Sequence, residues 1–177
     1  MSRVVFLHVG APKTGTTYLQ DRLTRNPRTL VRHGVHVPTG SPLVTPALFQ
    51  FRAALDLLGQ DWGGEPGHAR GAWDTLVRKV SRMDGTVVVS HEILAPAPAE
   101  QAARAVRELG RDAEVHIVYS ARDLARQLPA AWQESIKQGR KWRYRRFLRL
   151  AQEGRTWFSR SFDLPKVLTT WGAQLPP

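Results

Sequence analysis

The fold is decided near the N-terminus by the stretch Val4-Val5-Phe6-Leu7-His8-Val9-Gly10-Ala11-Pro12-Lys13-Thr14-Gly15-Thr16-Thr17-Tyr18-Leu19-Gln20. Its first six residues are apolar except for His8 and rich in β-branched side chains, which is typical of a strand buried on both faces of a parallel sheet. A loop containing glycine and proline follows, and helix-forming sequence then runs from Thr16 to the stop signal Asn26-Pro27. The stretch predicts a strand, a loop and a helix.

The loop between this strand and this helix is predicted to bind an anion. The free N–H groups at the start of a helix that follows a glycine-containing loop attract negative charge. The segment 10–17 fits the ATP- and GTP-binding pattern G-x-x-x-x-G-K-[ST] except that Thr16 stands in the lysine position and Lys13 comes three residues earlier. Lys13 can still reach an oxygen that bridges a phosphate and its leaving partner, but this loop is not built to hold a triphosphate with magnesium.

The segment Pro12-Lys13-Thr14-Gly15-Thr16-Thr17 resembles the 5′-phosphosulfate loop of sulfotransferases that use 3′-phosphoadenosine 5′-phosphosulfate (PAPS). The resemblance implies a P-loop-like, three-layer α/β fold with a central parallel sheet flanked by helices. It implies PAPS as co-substrate, adenosine 3′,5′-bisphosphate as product, and no required metal. The family also has a later glycine- and lysine-containing loop, which has no match here. Residues 1–177 are therefore interpreted as one sulfotransferase-like domain that lacks C-terminal elements.

The composition is consistent with a globular α/β domain. Hydrophobic residues make up 42% of the 177 residues, and predicted strands alternate with predicted helices. The absence of cysteine excludes disulfides, thiolate metal sites and a cysteine nucleophile. No apolar segment is long enough for a signal peptide or a membrane span, so a cytoplasmic location is predicted. The formal net charge of +11 predicts attraction to anions without naming which.

The other elements are predicted from hydrophobic periodicity and turn residues. Strands are expected at 35–37, 86–90 and 115–119, the last of them buried, with helices at 47–58, 68–83 and 98–109 and a loop at 39–45. Leu19 and Leu23 are predicted to fall on one face of the first helix, and the helix at 47–58 is predicted to carry one apolar stripe of Leu48, Phe51, Leu55 and Leu58. A further helix starts at Leu124, and Pro129 within it is predicted to kink or restart it.

Polar residues follow three of the predicted strands, at the point where each strand ends. These residues are Lys13 in the first loop, Ser90-His91-Glu92 after the second long strand, and Arg122-Asp123 after the third. Ligands of open parallel sheets collect beyond the carboxyl ends of the strands. We therefore expect Lys13, Glu92 and Arg122 to meet at one edge of the sheet, with two separate anion sites at Lys13 and Arg122.

The resemblance assigns roles to individual positions. It implies that the 5′-phosphosulfate is bound by Lys13, Thr14, Gly15, Thr16 and Thr17. Lys13 would contact the bridging oxygen and would therefore also be catalytic. Tyr18 would stack on adenine, and Arg122 would hold the 3′-phosphate. The family usually has a serine eight residues after that arginine, where this chain has Ala130, so Gln127 or Arg126 would have to compensate.

The catalytic base is expected directly after the second long strand, because the family uses a histidine or glutamate there. Glu92 is the first candidate and His91 the second. The alternatives are a solvated Glu92, a His91 that only packs, and an Arg122 that forms a structural ion pair with Asp123 or Glu92.

Residues 137–149 carry seven basic residues, three aromatic residues and no acid. A solvated helix face, recognition of an anionic acceptor such as an acidic sugar, and nucleic-acid binding all fit this pattern.

The sequence as a whole predicts a PAPS-dependent sulfotransferase acting on a hydroxyl or amine of a small-molecule or glycan acceptor. An ATP-dependent small-molecule kinase and a non-catalytic module binding nucleotides or nucleic acid are the alternatives. The displaced lysine argues against the kinase, and the base candidate at a strand end argues against the pure binder. Neither the acceptor nor the oligomeric state follows from the sequence.

Overall fold

The computed structural model describes residues 3–40 and 44–176. Its centre is a four-stranded sheet in which all neighbouring strands are parallel, in the order β2-β3-β1-β4. The strands are β1 (Arg3–Gly10), β2 (Val35–His36), β3 (Thr86–Ser90) and β4 (Ala113–Tyr119). The α/β class and the parallel sheet flanked by helices are confirmed.

Helices connect and follow the strands. They are α1 (Thr16–Arg25), α2 (Pro27–Arg32), α3 (Pro46–Leu58), α4 (Ala72–Val80), α5 (Ala99–Leu109), α6 (Leu124–Lys137), α7 (Tyr144–Gln152), α8 (Trp157–Phe162) and α9 (Leu164–Gly172), with a 3₁₀ turn at Glu92–Leu94. None of the helices in the described part of the chain is both long and apolar enough to cross a membrane.

The main hydrophobic core lies on one face of the sheet. Val5, Leu7 and Val9 of β1 point to this face and are fully buried, together with Val87 and Val89 of β3. Helices α3, α4, α5 and α9, the 3₁₀ turn and neighbouring loop residues contribute the rest of the same cluster. Because residues of one strand alternate between faces, these positions place His8 and Ser90 on the opposite face.

Helix α1 covers the opposite face only in part. Gln20 reaches the sheet there and donates hydrogen bonds to Ser90. The sequence pattern predicted that Leu19 and Leu23 lie on one face of this helix, and of the two Leu19 is exposed and Leu23 is half-buried. Helix α1 therefore covers this face of the sheet less completely than the core helices cover the other face.

Strand β4 forms one edge of the sheet, since its only described strand partner is β1. The sequence predicted a buried strand here. The structure instead shows regular alternation: Glu114, His116 and Val118 are exposed while Val115 and Ile117 are partly buried against the core. The prediction of burial was wrong because residues are buried on both faces in a central strand of a parallel sheet, whereas β4 lies at the edge.

Helices α6, α7 and α8 build a second hydrophobic cluster beside the sheet. Ala131, Phe147 and Phe158 are its buried members. The Tyr119 hydroxyl at the end of β4 donates a 2.8 Å hydrogen bond to the Ser161 carbonyl, which ties this cluster to the sheet. Pro129 does not restart the helix, because α6 continues through it as a single element.

Three other predictions need correction or fall outside the description. Helix α4 begins at Ala72 rather than at residue 68, after Gly71, whose φ of 78° is in the left-handed region that favours glycine. The apolar stripe predicted for α3 included Leu48, which is exposed, while Phe49 is buried. Of the loop predicted at 39–45, residues 41–43 lie outside the described residues.

Candidate functional site

A cleft of about 250 Å³ opens at the carboxyl ends of β1, β3 and β4. Its lining comprises Pro12, Lys13, Gly15, Thr16, Thr17, Glu92, Arg122 and Ala130. The structure thus brings together the polar groups that the sequence predicted at one edge of the sheet. Thr14, Tyr18 and His91 are not part of the cleft lining.

The loop before α1 exposes the start of that helix to the cleft. Gly15 precedes the helix with φ 94°, and no side chain caps the helix start. Uncapped first-turn N–H groups are available to an anion. The Thr14 hydroxyl instead donates a 2.6 Å hydrogen bond to the Ala11 carbonyl and so supports the loop from within.

Gly10 allows the loop to approach the 3₁₀ turn that follows β3. A Cβ atom at Gly10 would lie 3.1 Å from the Glu92 carbonyl oxygen and 3.3 Å from the Ala95 Cβ, and the φ of Gly10 is 127°. Both the crowding and the backbone angle disfavour any side chain here. The loop before α1 and the Glu92 segment are therefore packed directly against each other.

Lys13 forms an ion pair that the sequence did not predict. Its Nζ donates to Oε2 of Glu134 on α6 over 2.5 Å, with 32% and 27% of the two side chains exposed. This hydrogen bond holds the pKa of the Glu134 carboxyl below its usual value, so Glu134 is ionised at neutral pH. The ammonium of Lys13 thus already has a counter-charge beside the cleft.

Arg122 lines the cleft and is exposed. Its Nη1 donates a 3.2 Å hydrogen bond to the Lys13 carbonyl, which links the end of β4 to the loop before α1. Arg122 forms no ion pair with Asp123 or Glu92 among the ion pairs of the described residues. Its guanidinium keeps donors for a ligand in the cleft.

The residues near Ala130 do not replace the missing serine hydroxyl. Gln127 is 3% exposed, and its Nε2 donates a 3.1 Å hydrogen bond to the Pro12 carbonyl. Arg126 is exposed and lies 3.7 Å from Asp123. Gln127 therefore supports the loop, and Arg126 is paired beside the N-terminus of α6.

Glu92 is one of the residues that line the cleft, and 24% of its side chain is exposed. The Nε2 of Gln20 on α1 donates a 3.1 Å hydrogen bond to Glu92 Oε2. The other carboxylate oxygen, Oε1, has no such donor among the described residues. This arrangement fixes the carboxylate while leaving one oxygen for a proton.

His91 packs beneath the cleft rather than lining it. Its ring stacks on Phe51 at a centroid distance of 5.0 Å, and its Nδ1 accepts a 3.3 Å hydrogen bond from the Ile93 N–H. Burial lowers the pKa of His91, and the nearby Glu92 carboxylate opposes this effect. The geometry matches the alternative of a packing histidine.

His8 is a buried polar residue at the base of the site to which the sequence assigned no role. Its Nδ1 lies 2.7 Å from Ser90 Oγ and its Nε2 lies 2.9 Å from Ser120 Oγ, so it joins the ends of β3 and β4 through β1. Burial lowers its pKa, with Glu92 acting in the opposite direction. A neutral ring that both donates and accepts fits this position.

Tyr18 stands outside the cleft with 70% of its surface exposed. The Arg22 guanidinium lies 5.5 Å from the centre of its ring. The exposed ring can receive a planar group, but adenine stacking on Tyr18 stays a prediction.

Three groups at the site were missed by sequence reasoning: His8, Gln20 and Glu134. Only His8 gave a signal, because it is the one polar residue within an apolar strand. Gln20 and Glu134 lie on amphipathic helices, where polar residues are usually solvated. Their partners, Glu92 and Lys13, are 72 and 121 positions away in the chain.

The comparisons with known proteins give no match. No family model matches the chain, and no curated protein or solved structure is significantly similar to it. The functional assignment therefore depends on the residues and geometry of the cleft.

Proposed function

We propose that this chain is a PAPS-dependent sulfotransferase with a P-loop-like fold. The observation that carries the proposal is the convergence of Lys13, Glu92 and Arg122 on one cleft beside the uncapped start of α1. A donor with phosphates at its two ends needs two anion sites, and Lys13 and Arg122 supply cations for both. A cleft of about 250 Å³ fits the phosphosulfate end of such a donor, since pockets for whole drug-sized ligands measure about 300–1,000 Å³.

The residues of the cleft fit the donor as follows. The first-turn N–H groups of α1, the Thr17 hydroxyl and Lys13 would hold the 5′-phosphosulfate, and Arg122 would hold the 3′-phosphate. When bound, the donor supplies the sulfuryl group to be transferred. Lys13 would neutralise the charge that develops on the leaving phosphate oxygen, which is the main contribution a protein makes to this kind of transfer.

Glu92 would act as the general base. It accepts the proton of the acceptor hydroxyl or amine while the acceptor atom bonds to sulfur and the bond from sulfur to the phosphate oxygen breaks. Gln20 holds one carboxylate oxygen by its 3.1 Å hydrogen bond, which leaves the other for the proton. His91, stacked on Phe51, is the weaker candidate for this role.

Nucleotide selectivity tests the proposal against the kinase and the non-catalytic binder. Adenosine 3′,5′-bisphosphate should raise the melting temperature without added metal, and ATP with magnesium should raise it much less. Lys13→Ala should remove most of the shift, whereas Lys166→Ala, an exposed lysine on α9, should leave it unchanged.

The opposite results identify the alternatives. A larger shift with ATP and magnesium would favour the kinase. A shift with single-stranded RNA but with neither nucleotide would favour the binding module. Equal affinity for adenosine 5′-phosphosulfate and PAPS would show that Arg122 does not hold a 3′-phosphate.

A further inference from the structure

Seven basic residues between α6 and the end of α7 form a continuous segment of positive charge, here named the cationic surface. They are Lys137, Arg140, Lys141, Arg143, Arg145, Arg146 and Arg149. All seven are exposed. On α7 the last three share one side of the helix, opposite the buried Phe147, because positions three and four apart lie on the same face.

The charge of the cationic surface is mostly unbalanced by acids of the described residues, since only Lys137 lies near one, Glu134. The segment contains no acid, and none of its seven basic side chains takes part in a described ion pair. The nearest acids in sequence are already paired, Glu134 with Lys13 at 2.5 Å and Glu153 with Arg155 at 3.1 Å. Like charges four positions apart on one helix, such as Arg145 and Arg149, repel each other. A bound polyanion would relieve this repulsion.

The cationic surface is held in a defined conformation. The indole Nε1 of Trp132 on α6 donates a 2.8 Å hydrogen bond to the Trp142 carbonyl in the α6–α7 loop. The Arg140 guanidinium lies 5.3 Å from the centre of the Trp142 ring, and Phe147 anchors α7 with no exposed surface. A charged surface that is already ordered loses less conformational entropy on binding.

The aromatic residues of the segment are engaged in packing, which argues against single-stranded nucleic acid as the ligand. Tyr144 contacts Trp132 at a ring distance of 5.3 Å and Phe147 at 6.4 Å. Binding of single strands depends on exposed aromatic rings on which bases stack. Here the basic side chains are exposed, while Phe147 is buried and Trp142 and Tyr144 are partly buried against the second cluster, so the surface offers mainly positive charge.

The cationic surface begins close to the cleft. Helix α6 carries Ala130 in the cleft lining and Glu134 against Lys13, and Lys137 follows three residues later. Three helical residues span about 4.5 Å along the axis. An extended ligand bound to this surface can therefore reach the cleft.

We propose that the cationic surface binds a linear acidic polysaccharide and guides its hydroxyl groups to the cleft. The choice of carbohydrate rests on the proposed function, because a sulfuryl acceptor must offer hydroxyls or amines along its length. Arginine forks form paired hydrogen bonds with sulfate and carboxylate groups. Arg145, Arg146 and Arg149 place three such guanidinium groups on one side of α7.

The test compares two variants of equal charge. The surface variant replaces Arg145, Arg146 and Arg149 by Gln, and the control replaces three other exposed arginines by Gln: Arg28, Arg32 and Arg82. Binding of heparin, dextran sulfate and neutral dextran is measured by calorimetry at about 0.1 M salt, where exposed charges act over about 10 Å. The surface variant should bind heparin and dextran sulfate at least about tenfold more weakly, and the control within about twofold. Neutral dextran should not bind.

Four results would overturn the proposal. The first is that the unmodified protein binds neither sulfated polymer, and the second is that both variants lose the same affinity for heparin. The third is that RNA or duplex DNA of the same total charge binds more tightly than heparin. The fourth is that phosphatidylserine vesicles bind more tightly than heparin. None of these binding measurements involves a nucleotide. Failure here would leave the sulfotransferase proposal intact, and loss of the nucleotide shift would leave polysaccharide binding intact.

Discussion

The ion pair between Lys13 and Glu134 should weaken anion binding in the cleft. An anion that takes Lys13 must compete with Glu134, which is ionised at neutral pH because its pKa is lowered. Neutralising Glu134 by the change Glu134→Gln keeps the side-chain size and removes the competing charge. The variant should therefore bind anions more tightly.

The size of the effect follows from the geometry of the pair. The two charged atoms are 2.5 Å apart, and the side chains are 32% and 27% exposed. Exposed ion pairs contribute about 0.2–1 kcal/mol, and hydrogen bonds to charged groups up to about 3 kcal/mol. For this half-buried pair we take an interaction free energy of about 1 kcal/mol, so the Kd of an anion in the cleft should be about fivefold lower for Glu134→Gln. The free energy of unfolding should fall by a similar amount or less.

Calorimetric titration at about pH 7 with adenosine 3′,5′-bisphosphate, and separately with inorganic pyrophosphate, measures this change. Glu153→Gln is the matched control, since it removes the same charge from an exposed pair with Arg155. Its Kd should change by less than about twofold. Weaker binding in Glu134→Gln would refute the reasoning, because it would mean that Glu134 orients Lys13 for the ligand instead of competing with it.

Three further outcomes concern the base, the buried histidines and the second cluster. Glu92→Gln should lower turnover about 10²–10⁴-fold with nucleotide affinity unchanged, measured with labelled donor and a screened acceptor. Burial lowers the pKa of His8 and His91 from 6.5, so the melting temperature should fall as pH drops from about 7 to 5. His8→Asn should flatten this dependence, and exposed His33→Asn should not. Phe147→Ala should lower the free energy of unfolding, measured in urea, by about 3–5 kcal/mol. A decrease below about 1 kcal/mol would contradict the packing role of Phe147.

Local patterns were sufficient to predict the long strands and the polar groups at their ends. The strand at 86–90 was located residue for residue, because a run of β-branched residues between a turn and polar residues has few other interpretations. The meeting of Lys13, Glu92 and Arg122 followed from the prediction that their strands are parallel and that polar residues come directly after them. The roles proposed for these residues stay predictions.

Contacts between distant segments could not be predicted in the same way. Glu134 looked like an ordinary polar residue of α6, and nothing in a single sequence links it to Lys13. The exposure of β4 likewise depends on its place at the edge of the sheet, which its apolar residues do not reveal. Pro129 was expected to kink or restart α6, and the helix does not restart there, because it runs through Pro129 as one element while Ala131 packs in the second cluster.

The alternation along β4 has a consequence for the precision of the cleft. A slip of one residue against β1 would turn Glu114 and His116 toward the core and expose Val115 and Ile117. Such a shift would also move Arg122 by the length of a residue, about 3.3 Å along the strand, beyond reach of the Lys13 carbonyl. The burial of Val115 and Ile117 thus fixes the register of β4, and that register determines where the Arg122 guanidinium lies in the cleft.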